Sequence, residues 1–550
     1  MQKTKRNYIV IFLMIWAVQM AAAFYFCVQK QGFHEDEYYT YYSTARTNGF
    51  YVEDGQWMER DTYRNEFVVL PGQGFRYGLV KLVQSWDVHP PVYYWVFHTA
   101  ASLVPGVFSK WIGLAVNLVL WGINIVLYAY LAYLVSGRSA GMTLLVTLFY
   151  GLSPAAMSGV VFIRMYEMLT TFVLLCAILH VRAVEHMLAG NWVKLPVLRC
   201  LLPMAAVTYL GFLTQYYYFI FLFYLAAAFG VWMLWRERKL WNCVRYGVSQ
   251  AVAFALAYLT YPACLGQMFR GQRGAQATEN FFDLSNTLER LEFFFGLLDE
   301  YVFGKMLPAL LLMILILAVT AYRQRSLRKF KREMEKGNAD AAAVILSFSV
   351  TGYFLTVSKT ALLLGDTSNR YQLPVYGMIV LLLFRAVWVL WKRVLPEKAG
   401  DLNNRRNKLW RKENFCIAAG AACLLLDLAG LLSGKVVFLY PEDREQLEFA
   451  REREQENTPV VYLYEPGAEW CIWDVADELF VYPEVYFAAA DSVEKITEER
   501  IEEAEALVVY VADGADAEAQ IGRVSGSSTM KYAGAEPVFE EKYCRVYYLR

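Results

Sequence analysis

The first apolar segment of the chain is followed by the run His34-Glu35-Asp36-Glu37-Tyr38-Tyr39, which opens a long polar stretch. The stretch occupies residues 29–91 and ends at the triplet His89-Pro90-Pro91, where a second apolar segment begins. Loops longer than about 12–15 residues are uncommon unless they are functional or disordered. This one is rich in tyrosine, phenylalanine and tryptophan, which is not typical of disordered chain. We therefore predict a folded loop at a membrane surface that carries functional carboxylates.

Residues 36–46 of this loop have the spacing of an amphipathic helix. From Tyr38 to Ala45, tyrosine and alanine side chains recur at every third or fourth position, which aligns them on one helix face. Asp36 and Glu37 then lie in the first turn. Two interpretations of the pair stay open: it caps the helix and complements its dipole, or it supplies a carboxylate for proton transfer.

The composition of the chain is that of a membrane protein with a soluble tail. Of its 550 residues 57% are hydrophobic, and apolar segments long enough to span a bilayer recur from residue 8 to about residue 433. The net charge is zero, but residues 433–550 hold 26 Asp and Glu against 11 Lys and Arg. We predict a membrane domain, residues 1–433, and an acidic soluble domain, residues 434–550. Nucleic acid is not an expected partner, because no exposed basic domain is present.

Clusters of basic residues predict the orientation in the membrane. Lysine and arginine concentrate in residues 323–336 and 392–412, and such clusters mark the cytoplasmic face. Eleven candidate spans follow: 8–28, 111–135, 142–160, 165–183, 199–213, 215–235, 243–264, 305–322, 340–359, 371–391 and 415–433. The N-terminus is then cytoplasmic and the tail extracytoplasmic. The expected number of transmembrane helices is 11 to 13, because it depends on whether the short apolar run 92–104 counts as a span.

The tail has the pattern of an α/β domain. Residues 459–464, 506–511 and 538–549 are strand-like, and residues 498–505 are helix-like. Alternation of the two patterns is typical of a layered α/β fold.

With this orientation, several polar clusters reach the extracytoplasmic face together with the first loop. They are residues 164–167, 215–218, 266–304 and 366–371. Ionisable groups at the ends of spans are functional candidates, because burying a charge in lipid is costly. The alternative is structural: the arginines extend to the interface and the tyrosines form an aromatic belt.

Several of these pieces resemble one family of enzymes. Asp36-Glu37, the stretch Asp87-Val88-His89-Pro90-Pro91-Val92-Tyr93-Tyr94 and Arg164-Met165-Tyr166 are the first three, and Gln215-Tyr216-Tyr217-Tyr218-Phe219 and Asn369-Arg370-Tyr371-Gln372-Leu373-Pro374 add to them. Together they resemble the polyprenol-phosphate-sugar-dependent membrane glycosyltransferases of type GT-C. These include the protein O-mannosyltransferases and the lipid A aminoarabinose transferases. The resemblance covers residues 1–390 and does not extend to the tail.

The resemblance implies a polytopic α-helical membrane fold and a set of roles. Asp36 corresponds to the catalytic base and Glu37 to its partner. The residues expected to bind substrate and donor phosphate are Asp87, His89, Arg164, Tyr166, Tyr217, Arg370 and Tyr371. Lys81 and Lys359 are candidates for the family's phosphate-binding lysine. His89 keeps a structural alternative, because a residue before proline often caps a helix.

A divalent metal ion is left open as a cofactor. Asp36, Glu37, Asp87 and His89 carry the oxygen and nitrogen ligands that would hold one. Catalysis without a metal ion is expected equally.

The chemistry of the expected reaction needs few groups. A polyprenyl phosphate leaves as an anion, so one carboxylate suffices to take the proton of the acceptor hydroxyl, and arginines stabilise the phosphate charge. A glycosidase would need two carboxylates across the bond. We expect an inverting hexosyl- or pentosyltransferase in a bacterial plasma membrane. Its acceptor is an extracytoplasmic protein, glycolipid or wall polymer.

Two other functions compete with this one. Many spans and buried charges also suit a transporter or flippase of lipid-linked sugars, although such proteins commonly show internal repeats. The third candidate is a non-catalytic membrane scaffold whose acidic tail binds a partner.

Overall fold

The computed structural model describes residues 2–45, 52–191, 193–238, 240–269, 271–323, 338–394, 405–492, 494–525 and 536–550. Helices make up most of the first 432 residues. In chain order up to residue 301 they are α1 (Gln2–Gln29), α2 (Glu35–Ala45), α3 (Arg60–Arg64), α4 (Tyr77–Gln84), α5 (Val92–Ser102), α6 (Lys110–Val135), α7 (Ala140–Gly151), α8 (Pro154–Val161), α9 (Tyr166–Leu188), α10 (Leu202–Phe212), α11 (Tyr217–Glu237), α12 (Trp241–Thr260), α13 (Ala263–Phe269), α14 (Gln272–Phe282) and α15 (Thr287–Tyr301). The rest of the helical region holds α16 (Leu307–Arg323), α17 (Asn338–Thr360), α18 (Leu373–Val394) and α19 (Arg405–Leu432).

Apolar helices coincide with the predicted spans. Among the described residues, six helices are long and apolar enough to cross a membrane, and eight spans result if each of two bent helix pairs counts as one. Three shorter apolar helices cover residues 197–212, 307–323 and 419–432. Each of the eleven predicted spans therefore falls on a helix or a bent pair. The apolar run 92–104 forms α5, which has 11 residues and is too short to span a bilayer alone, since about 20 are needed.

The two bent pairs are α7 with α8, at 60°, and α12 with α13, at 102°. Ser153 and Pro154 account for the first bend. The Ser153 side chain accepts a hydrogen bond from the backbone N–H of Ala156 at 3.3 Å and so caps α8. Pro154 occupies the first helical position, where its missing N–H costs nothing. A residue before proline avoids helical backbone angles, so α7 ends here and α8 starts in a new direction.

The tail forms a mixed sheet with short helices. Its elements are α20 (Asp443–Gln455), β2 (Val460–Tyr464), α21 (Ala476–Leu479), β3 (Glu484–Ala489), α22 (Glu499–Glu502), β4 (Leu507–Ala512), α23 (Ala517–Ser525), β5 (Phe539–Glu540) and β6 (Cys544–Leu549). Strands β2, β3 and β4 are parallel. All residues of β2 and β4 are buried, as expected of parallel strands covered on both faces. The predicted C-terminal α/β domain is confirmed.

The first loop supplies one strand of this sheet. β1 (Gln56–Glu59) pairs antiparallel with β3, with Gln56 opposite Phe487 and Glu59 opposite Glu484. The strand order is β1-β3-β2-β4-β6-β5. β1 is therefore an edge strand that lies in sequence almost 400 residues before the rest of its sheet.

The chain divides into two compact units. The first, the helical unit, comprises residues 1–27, 84–93 and 113–437. The second, the loop–tail unit, comprises residues 28–83, 94–112 and 438–550. Most of the first loop thus folds with the tail.

Candidate functional site

In the helical unit, Asp87, His89 and Arg164 form a polar cluster. His89 Nδ1 lies 3.2 Å from Asp87 Oδ2, and Arg164 Nη2 lies 3.5 Å from both ring nitrogens of His89. Asp87 and His89 follow the end of α4, and Arg164 precedes α9. Arg164 is 3% exposed. Residues predicted from two separate motifs are thus brought together.

The backbone around Asp87 is held by a residue that the motifs do not include. Gln267 Nε2 donates hydrogen bonds to the carbonyl oxygens of Asp87, at 2.6 Å, and Gln84, at 2.9 Å. The Tyr216 hydroxyl donates to Gln267 Oε1 at 2.5 Å, and the Tyr261 hydroxyl donates to the His89 carbonyl oxygen at 3.4 Å. The only sequence signal for Gln267 is its place in the polar stretch 266–304.

The charges around Asp87 keep its carboxylate ionised. Burial acts to raise the pKa of Asp87, but the charge and hydrogen bond of His89 and the charge of Arg164 lower it. The balance leaves the pKa below its ordinary value. Asp87 therefore serves as an anion that orients His89 rather than as a proton donor at neutral pH.

A second cluster of the helical unit surrounds Arg370 with aromatic rings. The Arg370 guanidinium carbon lies 5.4 Å from the ring centre of Phe162 and 5.0 Å from that of Tyr371. Its Nη2 donates to the Tyr371 hydroxyl at 3.2 Å. Tyr371 also contacts the rings of Tyr166, at 6.1 Å, and Tyr217, at 5.9 Å. Cation–π contacts of this kind hold a guanidinium in place without neutralising it.

Both arginines lie at one short turn, residues 162–166, which joins the end of α8 to the first residue of α9. Arg164 belongs to the turn, and Arg370 packs on its first residue, Phe162. Asn117 Nδ2 fixes the turn by donating to the carbonyl oxygens of Val160, at 3.0 Å, and Phe162, at 2.6 Å. The arginines are each 3% exposed, so two guanidinium groups are buried around the same piece of backbone.

Three further cations are candidates for the phosphate role. Arg273, on α14, lies near enough to Tyr217 for its charge to act on that hydroxyl, although no motif singled it out. Lys359 donates to the Asp283 carbonyl oxygen and to Asn286 Oδ1, so its ammonium group ties a loop to α17. Lys81 lies on α4, within the loop–tail unit.

In the loop–tail unit, Glu37 is part of a buried ion pair. Its Oε2 lies 2.9 Å from Lys30 Nζ, and both side chains are 0% exposed. The same oxygen accepts a hydrogen bond from the backbone N–H of His34 at 2.7 Å. Lys30 also donates to the Phe438 carbonyl oxygen at 2.7 Å. Glu37 thus has a structural role in the first turn of α2.

Asp36, the adjacent acid, is accessible. Its side chain is 27% exposed, and its Oδ2 lies 3.6 Å from His34 Nδ1. The backbone N–H of Asp36 donates to that same nitrogen at 3.0 Å. Nδ1 of His34 therefore accepts a hydrogen bond from the backbone of α2. The first turn of α2 holds three acids. Glu35 is 26% exposed, so Asp36 and Glu35 are both partly exposed, whereas Glu37 is buried.

The candidate metal ligands are Asp36, Glu37, Asp87 and His89. Within the described part of the chain, no group of three or more His, Cys, Asp or Glu side chains is arranged to hold a metal ion. The divalent ion left open by the sequence finds no fitting ligand set there.

Solved structures that are similar to this chain include two of the same protein. The crystal structure of ArnT from Cupriavidus metallidurans bound to undecaprenyl phosphate has 12% sequence identity, a TM-score of 0.49 and an alignment covering 99% of this chain and 97% of that chain. ArnT from the same organism in the apo state has 12% identity, a TM-score of 0.48 and the same coverage. Both are GT-C glycosyltransferases, the class that the sequence motifs resemble. No family model and no curated protein matches the sequence.

Proposed function

We propose that the chain is an integral-membrane glycosyltransferase that moves a sugar from a polyprenyl-phosphate donor to an extracytoplasmic acceptor. The observation that supports this most directly is the pair of buried arginines on the turn 162–166. Guanidinium groups are donors with a fixed fork that matches a phosphate group. A cation that is buried in a membrane protein is costly unless it serves a partner or a substrate.

The proposed reaction assigns one role to each group. The acceptor hydroxyl attacks the anomeric carbon as its proton passes to Asp36. The bond from that carbon to the phosphate oxygen breaks, and the electron pair leaves with the polyprenyl phosphate. Arg164 and Arg370 stabilise the charge that grows there, and Arg273 adds a third cation. A single displacement inverts the anomeric centre.

The remaining residues support this set. Asp87 holds His89 beside Arg164, and Tyr166, Tyr217 and Tyr371 keep Arg370 in place. The acceptor class is a protein, glycolipid or wall polymer, and the protein resides in a bacterial plasma membrane with a cytoplasmic N-terminus and an extracytoplasmic tail. These assignments follow from the resemblance and the charge pattern.

A deletion strain tests the proposal. Mass spectrometry of lipid-linked sugars and glycoconjugates should reveal an accumulated donor and a missing product, and the wild-type gene should restore the product. Asp36→Asn should lower product formation by about 10² to 10⁴, because it removes the group that takes the proton. Its expression and melting temperature should match those of the wild type.

Asp61→Asn provides the matched control. Asp61 is another acid of the first loop, 66% exposed, with its carboxylate 3.6 Å from Arg64. This variant should restore the product fully. Full restoration by Asp36→Asn would remove Asp36 as the base, and an unchanged set of lipid-linked sugars in the deletion strain would contradict the proposed reaction.

The bent helix pairs favour one competing function, a flippase of lipid-linked sugars. Interrupted helices line the substrate paths of many transporters, and the bend between α7 and α8 leads into the turn 162–166. Purified protein in detergent separates the two functions, because transfer needs no membrane barrier. Formation of glycosylated product in micelles supports the transferase, and sugar movement only across sealed vesicles supports the flippase.

A further inference from the structure

The loop–tail unit contains contacts between α2 and the tail that no motif predicts. The most buried of them joins the Tyr38 hydroxyl, which donates at 2.5 Å, to Asp477 Oδ1. Tyr38 is 0% exposed and lies two positions after Asp36 in α2. Hydrogen bonds to a carboxylate in a buried place are stronger than those between neutral groups. The bond therefore fixes the first turn of α2 to α21.

Two contacts that precede Tyr38 in the chain also attach α2 to the tail. Glu35 Oε2 accepts hydrogen bonds from Lys542 Nζ and from the Tyr543 hydroxyl, each at 2.6 Å. Before α2, the backbone N–H of Gln31 donates to the Leu439 carbonyl oxygen at 2.7 Å. The residue that precedes Asp36 and the segment leading into α2 are thus both held by the tail.

Aromatic packing provides a third set of contacts between α2 and the tail. The ring of Trp473 lies 4.8 Å from that of Tyr39 and 4.5 Å from that of Tyr42, centre to centre. These two tyrosines follow Tyr38 along α2, so the helix is held along most of its length. Fixing a helix in this way limits both its rotation and its translation.

We propose that the tail is the positioning element for α2, and that Asp477 is the residue that sets the place of Asp36 by holding Tyr38. The inference rests on the proposed function, in which Asp36 is the base. Asp477 touches no reacting atom; it is a positioning residue that acts through Tyr38. The tail and the first loop then act together, because contacts from the tail fix the orientation of the Asp36 carboxylate.

Positioning has a kinetic signature that differs from binding. A base displaced by about 1 Å loses up to about 10²-fold in rate, whereas a donor bound elsewhere keeps its affinity. Asp477→Asn and Tyr38→Phe should therefore each lower kcat about 10- to 100-fold and leave the KM for the donor unchanged. Because both variants remove the same bond, the double variant should be no slower than the worse single one.

Hydrogen exchange measures the same effect without activity. In the full-length protein in detergent, the amides of residues 37–45 should exchange about tenfold faster in Asp477→Asn than in the wild type, because the local opening of α2 becomes easier. Tyr548→Phe is the matched control. It removes a phenol hydroxyl that accepts from Arg453 Nη1 at 2.9 Å within the tail and should leave exchange in α2 unchanged.

The two readouts separate this inference from the proposed function. Unchanged exchange of residues 37–45 in Asp477→Asn would overturn the positioning role, as would additive losses of kcat in the double variant. If exchange is faster in Asp477→Asn but the wild type transfers no sugar, the attachment of α2 to the tail stands and the glycosyltransferase is refuted instead.

Discussion

Asp36 and Glu37 share a helical turn but have different environments. Glu37 has no exposed surface and is paired with Lys30, which is equally buried, whereas Asp36 is 27% exposed. The resemblance treats the two acids as one motif with a base and its partner. The two acids therefore differ in burial: Glu37 belongs to a buried ion pair of the loop–tail unit, and Asp36 is partly exposed.

We expect Glu37→Gln to lower the stability of the folded protein. It should have no direct effect on the rate of sugar transfer. It leaves the Lys30 ammonium group buried without its carboxylate, which costs about 3–5 kcal/mol. The melting temperature in detergent should fall, while that of Asp36→Asn should not. A double variant with methionine at both positions 30 and 37 should recover part of the loss, since buried pairs are often replaceable by apolar side chains. Equal melting temperatures for Glu37→Gln and the wild type would refute the structural role.

At the scale of elements, α20 begins against the segment that leads into α2. Asp443 packs on Gly32 so closely that a Cβ at Gly32 would lie 1.5 Å from Asp443 Oδ2. Burial raises the pKa of Asp443 to about 8, and the nearby carboxylates of Asp477, Glu442 and Glu541 add to the effect against the charge of Lys30. At neutral pH this contact therefore uses the protonated carboxyl group.

The sign of the resulting pH dependence follows from linkage. The unfolded chain releases the Asp443 proton near the ordinary value of 3.8, and the folded protein holds it up to about pH 8. The contribution to stability is fully present below pH 4 and is lost as the pH rises towards 8. The melting temperature of the wild type should thus be lower at pH 8.5 than at pH 5.5. Asp443→Asn, a neutral isostere, should reduce that difference; an equal difference in both proteins would refute the assignment.

The elements also show what local sequence can and cannot predict. Every predicted span falls on a helix or a bent pair of helices, because a long apolar segment is a local signal. The break at Ser153-Pro154 was missed, although its capping serine and proline are visible in the sequence. Strand β1 could not be predicted: Gln56–Glu59 has no apolar alternation, and its partner β3 lies more than 400 residues later.

The candidate site shows the same limit. His89 and Arg164 were predicted from separate motifs, and their contact agrees with a shared role. Gln267 and Asp477 were missed, because each acts through a hydrogen bond to a distant segment that no spacing encodes. The catalytic and binding roles of the site residues remain predictions.

At the scale of the whole molecule, we expect the tail to be required for the folding of the first loop. Deletion of residues 438–550 takes away every neighbour of β1 in the sheet, together with the partners of Lys30, Glu35 and Tyr38. We expect the truncated protein to aggregate or to be degraded, because it would expose Met58 and Tyr63, which are buried in a core otherwise made of tail residues.

Size-exclusion chromatography and protease digestion check this expectation, with the full-length protein as the control. The truncation also separates the transferase from a scaffold whose tail binds a partner. A truncated protein that is monodisperse and protease-resistant but has lost only a binding partner would favour the scaffold. A folded Asp36→Asn protein without product favours the enzyme.

A sheet that draws its edge strand from residues 56–59 and its remaining strands from residues 460–549 has a consequence for biosynthesis. The ribosome delivers the early strand long before its neighbours exist, and contacts so distant along the chain form slowly. β1 therefore has no neighbouring strand until the tail has been synthesised. A nascent chain that ends at an early stop codon would lack the strands that pair with β1, so its first loop would stay incompletely folded and become a target of cellular quality control.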